Sequence, residues 1–562
     1  MDETRRQVDN ELRPPQEQEP RNRKELTPRA IIWGILIGIL MLAIALYMLM
    51  MTGINFPAGP VAALMGIILM PLFGGKATKY EVNMVHTIAS AVALSSTALI
   101  GTFTAAIISG YEFNWRVFLT ILFLGNIIGL CFISILRKQL VEDPSLKFPG
   151  SIITKDIVEK AENPPKYELK LFIIFMIFIF VFSLCQKVFN MIPAQVDLSK
   201  FLPKGCYLDL IIMPMALGMG YILSMKMTSL LLIGALAAHL ILAPIGTSLG
   251  WFLDPQVNYK SMQDFNLSLV LGMAIVGSLV PVIKQRKSLI NSFKIKTSDI
   301  RGSDNELPVR TLMIIIICAV IAAMIFYYME FKVNPIFVLV TVLCMLIMSV
   351  VSIRATAEAG INFAEVFDMF LILTIVTLVN KPVAALLLVG LGTCMTSLGG
   401  DTISDFKTGQ LIGASVRKQA ICQFIGFIPG ILIGSVIIYT FITTRGIGTA
   451  EAPFPFAHMY YGLANAVTGD GLGSVISLPR MGIGGIVGGA LALLGLPATA
   501  LALTTYLNPG FFIITAIGGF IRGFTDKKYG REIGETWTNA ASGMMVGEGL
   551  VIIVTTILLL IK

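Results

Sequence analysis

Ala30–Met51 reads AIIWGILIGILMLAIALYMLMM, 22 residues without a charge or a proline. A helix needs about 20 such residues to cross the hydrocarbon core of a bilayer. The run is continuous rather than alternating, so it reads as a membrane helix and not as a strand of an outer-membrane barrel. The same pattern recurs along the chain. Further apolar runs cover approximately 57–73, 83–109, 115–136, 168–191, 206–224, 227–246, 265–283, 309–329, 334–353, 363–378, 383–397, 419–443, 460–478, 482–506, 509–522 and 539–561. Several are short or broken by Gly and Pro, so some are expected as half-spans or re-entrant hairpins, and the count comes to about 16. Composition agrees: the 562 residues are 55% hydrophobic and 14% charged, with a mean hydropathy of +0.81. Soluble domains are roughly 25% charged. A soluble enzyme, a secreted disulfide scaffold and a nucleic-acid-binding domain are excluded. The expected fold class is an all-α polytopic membrane protein with broken or re-entrant segments.

The net charge of +8 sits in short loops, where Lys and Arg set topology. With residues 1–29 as a disordered cytoplasmic tail, the basic loops Lys76–Lys79, Arg137–Lys170, Lys284–Arg310 and Lys407–Lys418 all fall inside. The outer loops 192–205 and 247–264 carry few basic residues. Beyond the thirteenth run the alternation needs help. Arg522–Arg531 belongs inside only if 460–478 crosses or a neighbour is re-entrant. The expected location is a cell membrane, multi-pass, with a cytoplasmic N-terminus. The chain divides into a first transmembrane half, 30–329, and a second, 330–562. No cleavable leader is visible. Seven cysteines show no C-x-x-C spacing, so neither a disulfide framework nor a zinc site is expected.

A weak repeat links the two halves. Gly53-Ile54-Asn55-Phe56 is echoed by Gly360-Ile361-Asn362-Phe363, and Leu99-Ile100-Gly101 by Leu411-Ile412-Gly413. Arg116, Gly125 and Gly129 recur at identical spacing as Arg417, Gly426 and Gly430. The first member of each pair falls outside and the second inside. That is the signature of an inverted repeat, the device by which secondary transporters build two access states.

Several chemistries have no motif here. The stretch GGKAT at 74–78 lacks the upstream Gly and the Ser/Thr of a phosphate loop, and no G-x-G-x-x-G closes. Histidines 86, 239 and 458 are far apart, so no metal site and no cofactor is expected. A membrane enzyme would need paired catalytic groups at motif spacing such as H-E-x-x-H, which is absent. A potassium filter is absent as well. Without a nucleotide site, transport would run on an ion gradient.

Charge at membrane depth is expensive and marks function by default. Between two apolar runs, Ile353–Asp368 (IRATAEAGINFAEVFD) crowds Arg354, Glu358, Glu365 and Asp368 around Gly360. It reads either as a broken helix at the midplane or as a polar cytoplasmic turn. Gly399–Lys418 (GGDTISDFKTGQLIGASVRK) places Asp401 and Asp405 one helical turn apart, with Lys407 close by. It reads as a re-entrant loop lining a cavity or as a solvated loop. Asn83 and Thr87 share a helix face. The neighbouring His86 is either a proton shuttle or an ordinary interfacial residue. Glu548, amid glycines in the last run, is either a proton site or the partner of a polar neighbour. Small-xxx-small faces such as Gly34/Gly38 and Gly484/Gly488 suit tight packing within the chain and, equally, a homodimer.

These segments resemble the oligopeptide transporter (OPT) family, which includes the yellow-stripe metal-chelate transporters. Ser404–Lys418, SDFKTGQLIGASVRK, is similar to the family's acidic-aromatic-KTG segment, with Val416 where the family usually has Pro. AEAGIN at 357–362 and Leu146–Thr154 (LKFPGSIIT) resemble two further family segments. So do the opening Leu26-Thr27-Pro28-Arg29-Ala30 with Gly34, Asn508-Pro509-Gly510, and the Gly-Leu close of the last helix. The resemblance runs from about residue 25 to 560, and the absence of NPYF-like and KIPPR-like motifs makes this look like a prokaryotic-type member. It implies about 16 spans and proton-coupled uptake of a small peptide or, alternatively, a metal chelate; export on the same fold is the further rival. The expected symporter has the bilayer, substrate and protons as partners. Its expected substrate-binding residues are Asn55, Asn83, Thr87, Gly360, Asn362, Asp401 and Lys407. Lys407 would hold a peptide carboxylate or neutralise Asp405. Glu358 and Asp405 are the expected proton carriers, since an enclosed carboxylate can titrate in a working range. Glu358→Gln is expected to abolish pH-driven uptake, and unchanged pH dependence in a liposome assay would remove Glu358 as carrier.

Overall fold

Thr27 opens the bundle. Its hydroxyl accepts from Ala30 N at 3.2 Å, and Pro28 takes the first helical position, where a missing N–H is harmless. The structure is a computed structural model that describes residues 24–53, 58–72, 75–143, 146–163, 166–203, 205–223, 225–250, 259–284, 307–359, 364–449, 452–468 and 476–561. The first group of helices is α1 (Pro28–Thr52), α2 (Ala58–Leu69), α3 (Lys79–Leu94), α4 (Ile100–Ile108) and α5 (Trp115–Val141). The short α6 (Pro149–Glu159) and α7 (Lys166–Lys187) lead to a two-stranded antiparallel hairpin. In it, β1 (Gln195–Asp197) pairs with β2 (Asp209–Ile211), Gln195 opposite Ile211. Then come α8 (Pro214–Ile222), α9 (Met225–Leu236), a π-helical turn (Ala237–Leu242), α10 (Ala243–Ser248) and α11 (Tyr259–Lys284). The second half holds α12 (Val309–Phe331), α13 (Pro335–Ala359), α14 (Ala364–Val379), α15 (Pro382–Ile412) and α16 (Val416–Arg445). It closes with α17 (Pro455–Thr468), α18 (Leu478–Leu493), α19 (Ala498–Thr504), α20 (Pro509–Tyr529) and α21 (Arg531–Ile561).

Among the described residues ten helical segments are long and apolar enough to cross a membrane, with four shorter apolar helices beside them. The chain is an all-α polytopic membrane protein. Bare apolar faces such as Ile314, Ile317, Ile321 and Ile325 on α12 are each about half exposed, as a lipid-facing surface requires. The expected tail lies outside the described residues up to 23. From Lys24 the chain is fixed instead, because buried Glu25 accepts from Ser415 N at 3.0 Å and faces Lys418 at 3.7 Å.

The polar segment 399–412 is neither a re-entrant loop nor a solvated one. It is the second half of α15, one 31-residue helix (Pro382–Ile412) capped by Lys381 and by Gly413, whose φ of 74° stops it. The helix stays intact because its neighbours bury both its apolar and its polar turns, which satisfies the backbone internally. Helix α17 has 14 residues, a length of about 21 Å, which is shorter than the hydrocarbon core.

Helices α3 and α15 form the centre. α3 packs on α1, α2, α15 and α16; α15 packs on α13, α14, α3 and α5. Glycines set these distances. A Cβ on Gly129 of α5 would stand 2.7 Å from Met395 O of α15, and one on Gly430 of α16 would stand 2.4 Å from Val92 O of α3. Gly125 and Gly426, one turn earlier, meet the same two partners. No side chain fits between these backbones. Gly430→Val is therefore expected to lower stability by about 1–3 kcal/mol through overpacking, read as a lower melting temperature in detergent. Gly482→Ala, where a Cβ would meet nothing within 4 Å, should leave the melting temperature unchanged.

Candidate functional site

Residues 83, 86, 87 and 90 fall on one face of α3, at helical spacing. The start of that helix is pinned twice. Thr78 and Glu81 form a reciprocal capping box, and Glu81 also accepts from Arg29 Nε and Thr27 Oγ1, each at 2.9 Å. Facing it is Asp405 on α15, with Asp401 one turn before it and Thr408, whose hydroxyl turns to Ser404 O and Ser151 O, one turn after. Gln419 and Gln423 on α16 complete the ring; Ser415 caps that helix by accepting from Lys418 N at 3.4 Å.

At the centre His86 Nε2 lies 3.2 Å from Asp405 Oδ1, the two side chains 2% and 5% exposed. Gln423 Nε2 donates to Asp405 Oδ2 at 2.8 Å, and the Ser90 hydroxyl also reaches this carboxylate. Gln419 Nε2 donates to the Asp405 carbonyl at 2.9 Å and to Thr87 Oγ1 at 3.4 Å. Thr87 Oγ1 donates in turn to Asn83 O at 2.9 Å. Gly409 makes room for the Gln419 amide, which a Cβ would approach to 2.0 Å. Gly59 of α2 does the same for the His86 ring, with 2.9 Å to Nε2. Four buried polar atoms here are without a hydrogen-bond partner among the described residues: both amide atoms of Asn83, His86 Nδ1 and Gln419 Oε1. Buried polar groups are ordinarily satisfied, so such a cluster has unused bonding capacity at one place. A carboxylate against an imidazole can also share and pass a proton.

The structure thus brings Asn83, Thr87, Asp401 and Asp405 together, with His86 inside the bundle and not at its interface. Lys407 is elsewhere. Two residues from Asp405, it points away around the helix, donates to Val141 O at 2.8 Å and Gln410 Oε1 at 3.1 Å, and lies over the Phe148 ring. It does not neutralise Asp405. Glu358 lies in the last turn of α13, and its side chain is outside the described residues, as are Asn55, Gly360 and Asn362. Nearby Arg354 pairs with Asp143 at 2.9 Å, and buried Asp368 accepts from Thr393 Oγ1 at 2.9 Å and Tyr460 OH at 3.2 Å. Sequence reading passed over Gln419, Gln423 and Ser90. The available signal was a pair of amides four apart in an otherwise apolar run.

Glu548 has the polar neighbour. Lys187 Nζ stands 2.8 Å from its Oε1, Met215 N donates to Oε2 at 2.7 Å, and Tyr47 OH is 2.6 Å from the same ammonium. Asn508 caps α20, and both Asn508 and Gly510 N donate to Asp209. Among the described residues no group of three or more His, Cys, Asp or Glu is placed to hold a metal ion.

A multi-pass helical bundle with a polar, protonatable centre enclosed between its helices has the build of a membrane transporter. The profile of the family described as "OPT oligopeptide transporter protein" matches residues 25–559, and the chain belongs to this family. It is similar to the "Metal-nicotianamine transporter YSL2" of Arabidopsis thaliana, 24% identical over an alignment that covers 96% of this chain and 94% of that one. It is also similar to the "Putative oligopeptide transporter YGL114W" of Saccharomyces cerevisiae, 23% identical over 60% of this chain; the aligned part spans 57% of the yeast protein's length.

Removing one member of a buried ion pair strands the other. Lys187→Met is expected to destabilise by roughly 3–5 kcal/mol, and adding Glu548→Gln should recover much of it, measured as melting temperatures of the single and double variants.

Proposed function

We propose that this chain is a proton-coupled symporter that takes up small oligopeptides by alternating access. The observation that carries the reading is the His86–Asp405 pair, enclosed between α3 and α15 at 3.2 Å. Asp405 is the proton carrier, with His86 as the group that takes or returns the proton, and Glu358 is a second carrier. Asn83, Thr87 and Asp401 are the substrate-facing groups, with Asn55, Gly360 and Asn362 joining them from the two GIN segments. Metal-chelate uptake is the second reading. It is favoured by the Arabidopsis relative, whose name carries a metal–nicotianamine substrate and whose match runs along nearly the whole chain.

Alternating access asks for two related halves, and the packing supports an inverted repeat. Gly125 and Gly129 of the first half dock on the central helix of the second. Gly426 and Gly430 of the second half dock on the central helix of the first. The helices α1, α2 and α3 pack together as α13, α14 and α15 do. The basic loops support a cytoplasmic N-terminus in a cell membrane, and some 16 spans follow if the shorter apolar helices count as spans or half-spans.

The test is proteoliposomes holding a pH-sensitive dye under an inward proton gradient. Tetra- and pentapeptides are expected to acidify the lumen; acidification by an iron(III) chelate alone moves the chain to the second reading. Asp405→Asn should cut proton entry at least tenfold, and His86→Gln should do the same, with melting temperatures retained. Wild-type proton entry in Asp405→Asn removes it as carrier. Movement of substrate against proton entry reassigns the chain as an exporter.

A further inference from the structure

A crevice of about 590 Å³ opens on the face that carries the basic turn Arg522–Arg531. Its volume is within the roughly 300–1,000 Å³ of small-molecule sites. The walls are Leu64 and Ile67 of α2, the outer face of α6, Ile222 and Leu223 at the end of α8, and the ends of α20 and α21. The floor is apolar and the rim is charged. Three ion pairs stand around it: Lys160–Glu168 at 3.0 Å, Arg522–Asp526 at 2.9 Å and Arg531–Glu535 at 3.1 Å. Asp156, which Lys155 faces at 3.8 Å, adds a fourth carboxylate.

Helices α6 and α2 both reach from this crevice towards the buried pair. The inner face of α6 is tied to α15, with Ser151 Oγ donating to Ser404 O at 2.8 Å. Beside it, a Cβ on Gly59 of α2 would lie 3.7 Å from Thr154 Oγ1 and 2.9 Å from His86 Nε2. The outer face of the same helix supplies Ile152, Ile153, Asp156 and Ile157 to the crevice. One short helix therefore touches the proton-site wall on one side and the crevice on the other.

We infer that the crevice is a substrate vestibule for a small zwitterion, whose carboxylate is taken by Arg531 and Arg522 and whose ammonium is taken by Glu535 and Asp156. Three cations face four carboxylates, so the rim is nearly neutral and gives a purely anionic headgroup no net attraction. A molecule with both charges matches it by exchanging partners with pairs already present. Arg531 and Glu535 have side chains 85% and 58% exposed, and ion pairs that open exchange partners readily. The apolar floor accommodates aliphatic side chains between the charged ends. This assignment rests on the transport reading above and not on which residue carries the proton.

The experiment uses the full chain in lipid nanodiscs without a gradient, titrated by calorimetry with di- to penta-alanine. Free-ended peptides are expected to bind at least about tenfold more tightly than their N-acetylated, amidated forms, because each blocked end loses a charge-assisted hydrogen bond. Arg531→Gln and Glu535→Gln should each weaken binding about fivefold at unchanged melting temperature, while Gly482→Ala, where a Cβ meets nothing within 4 Å, binds as wild type. Equal affinity for blocked and free peptides, or wild-type affinity in both rim variants, overturns the vestibule. So does displacement of peptide by dioctanoyl phosphatidylglycerol, which would mark a lipid headgroup site. Peptide-driven proton entry alongside unaffected rim variants would sink the vestibule and leave the symporter standing. Zwitterion binding without proton entry would do the reverse.

Discussion

A carboxylate sealed inside a membrane protein has to be satisfied by its own chain. Asp405 is 3% exposed, and its partners come from two other helices. His86 and Ser90 arrive from α3, and Gln423 from α16. His86 and Ser90 lie more than 300 positions from Asp405 along the sequence, so their contact with it exists only if the two halves pack as they do. The packing is itself set by glycine. Backbones approach closely enough to bring three polar faces to one point because Gly426 and Gly430 offer no side chain to α3. Lipid supplies no hydrophobic drive between helices, which leaves close van der Waals contact and internal hydrogen bonds to hold such a bundle.

The same constraint explains why the pair suits coupling. Two unit charges 4 Å apart interact by about 4 kcal/mol at an effective dielectric of 20. Under the proposed reading, a proton taken up by a charged Asp405 beside a protonated His86 leaves a neutral acid facing the imidazolium and removes an attraction of that order between α3 and α15, before desolvation is counted. A two-state equilibrium shifts tenfold for each 1.4 kcal/mol or so. On the proposed reading, protonation at this one place would bias which arrangement of the halves prevails, provided the pair is looser in one of them.

Much of this was legible in the residues. The continuous apolar runs fixed the class, because no soluble or barrel fold tolerates them. The order of family segments from Leu26 to Gly549 was legible too, and the family profile covers the same stretch. The carboxylates Asp401 and Asp405 were found because charge in an apolar context is rare. What could not be read was which way a side chain points once the surrounding helix is longer than its apolar part. Composition made 399–418 look too polar and too rich in glycine to be helical. In the fold those glycines are contact points, with Ile353 against Gly399 and Thr356 against Gly400, and the polar residues are enclosed by other polar residues. Lys407 was misplaced for the same reason. Two positions along a strand share a face, but two positions along a helix lie about 200° apart. Gln419 and Gln423 went unnoticed because amides carry no charge and leave no mark on a hydropathy profile.

The two buried acids that face a base show why sequence signals of this kind need geometry. Glu548 and Asp405 are both almost fully enclosed, and both lie near glycines. Glu548 meets a full ammonium, a backbone N–H and, through that ammonium, a tyrosine hydroxyl. Opposite charges are matched one to one, and separating them would leave each uncompensated in a medium that penalises it heavily. That is the chemistry of a fixed joint between α7, α8 and α21. Asp405 meets neutral donors and an imidazole, a group that can take up or release a proton. Around it Asn83, His86 and Gln419 keep polar atoms that the described residues leave without partners. A joint gains nothing from spare donors and acceptors, whereas a site that must accommodate a proton and a polar substrate in turn depends on them. The difference between the two acids lies in their partners, and it is why Glu548 reads as a fixed joint while the proposal places the proton on Asp405.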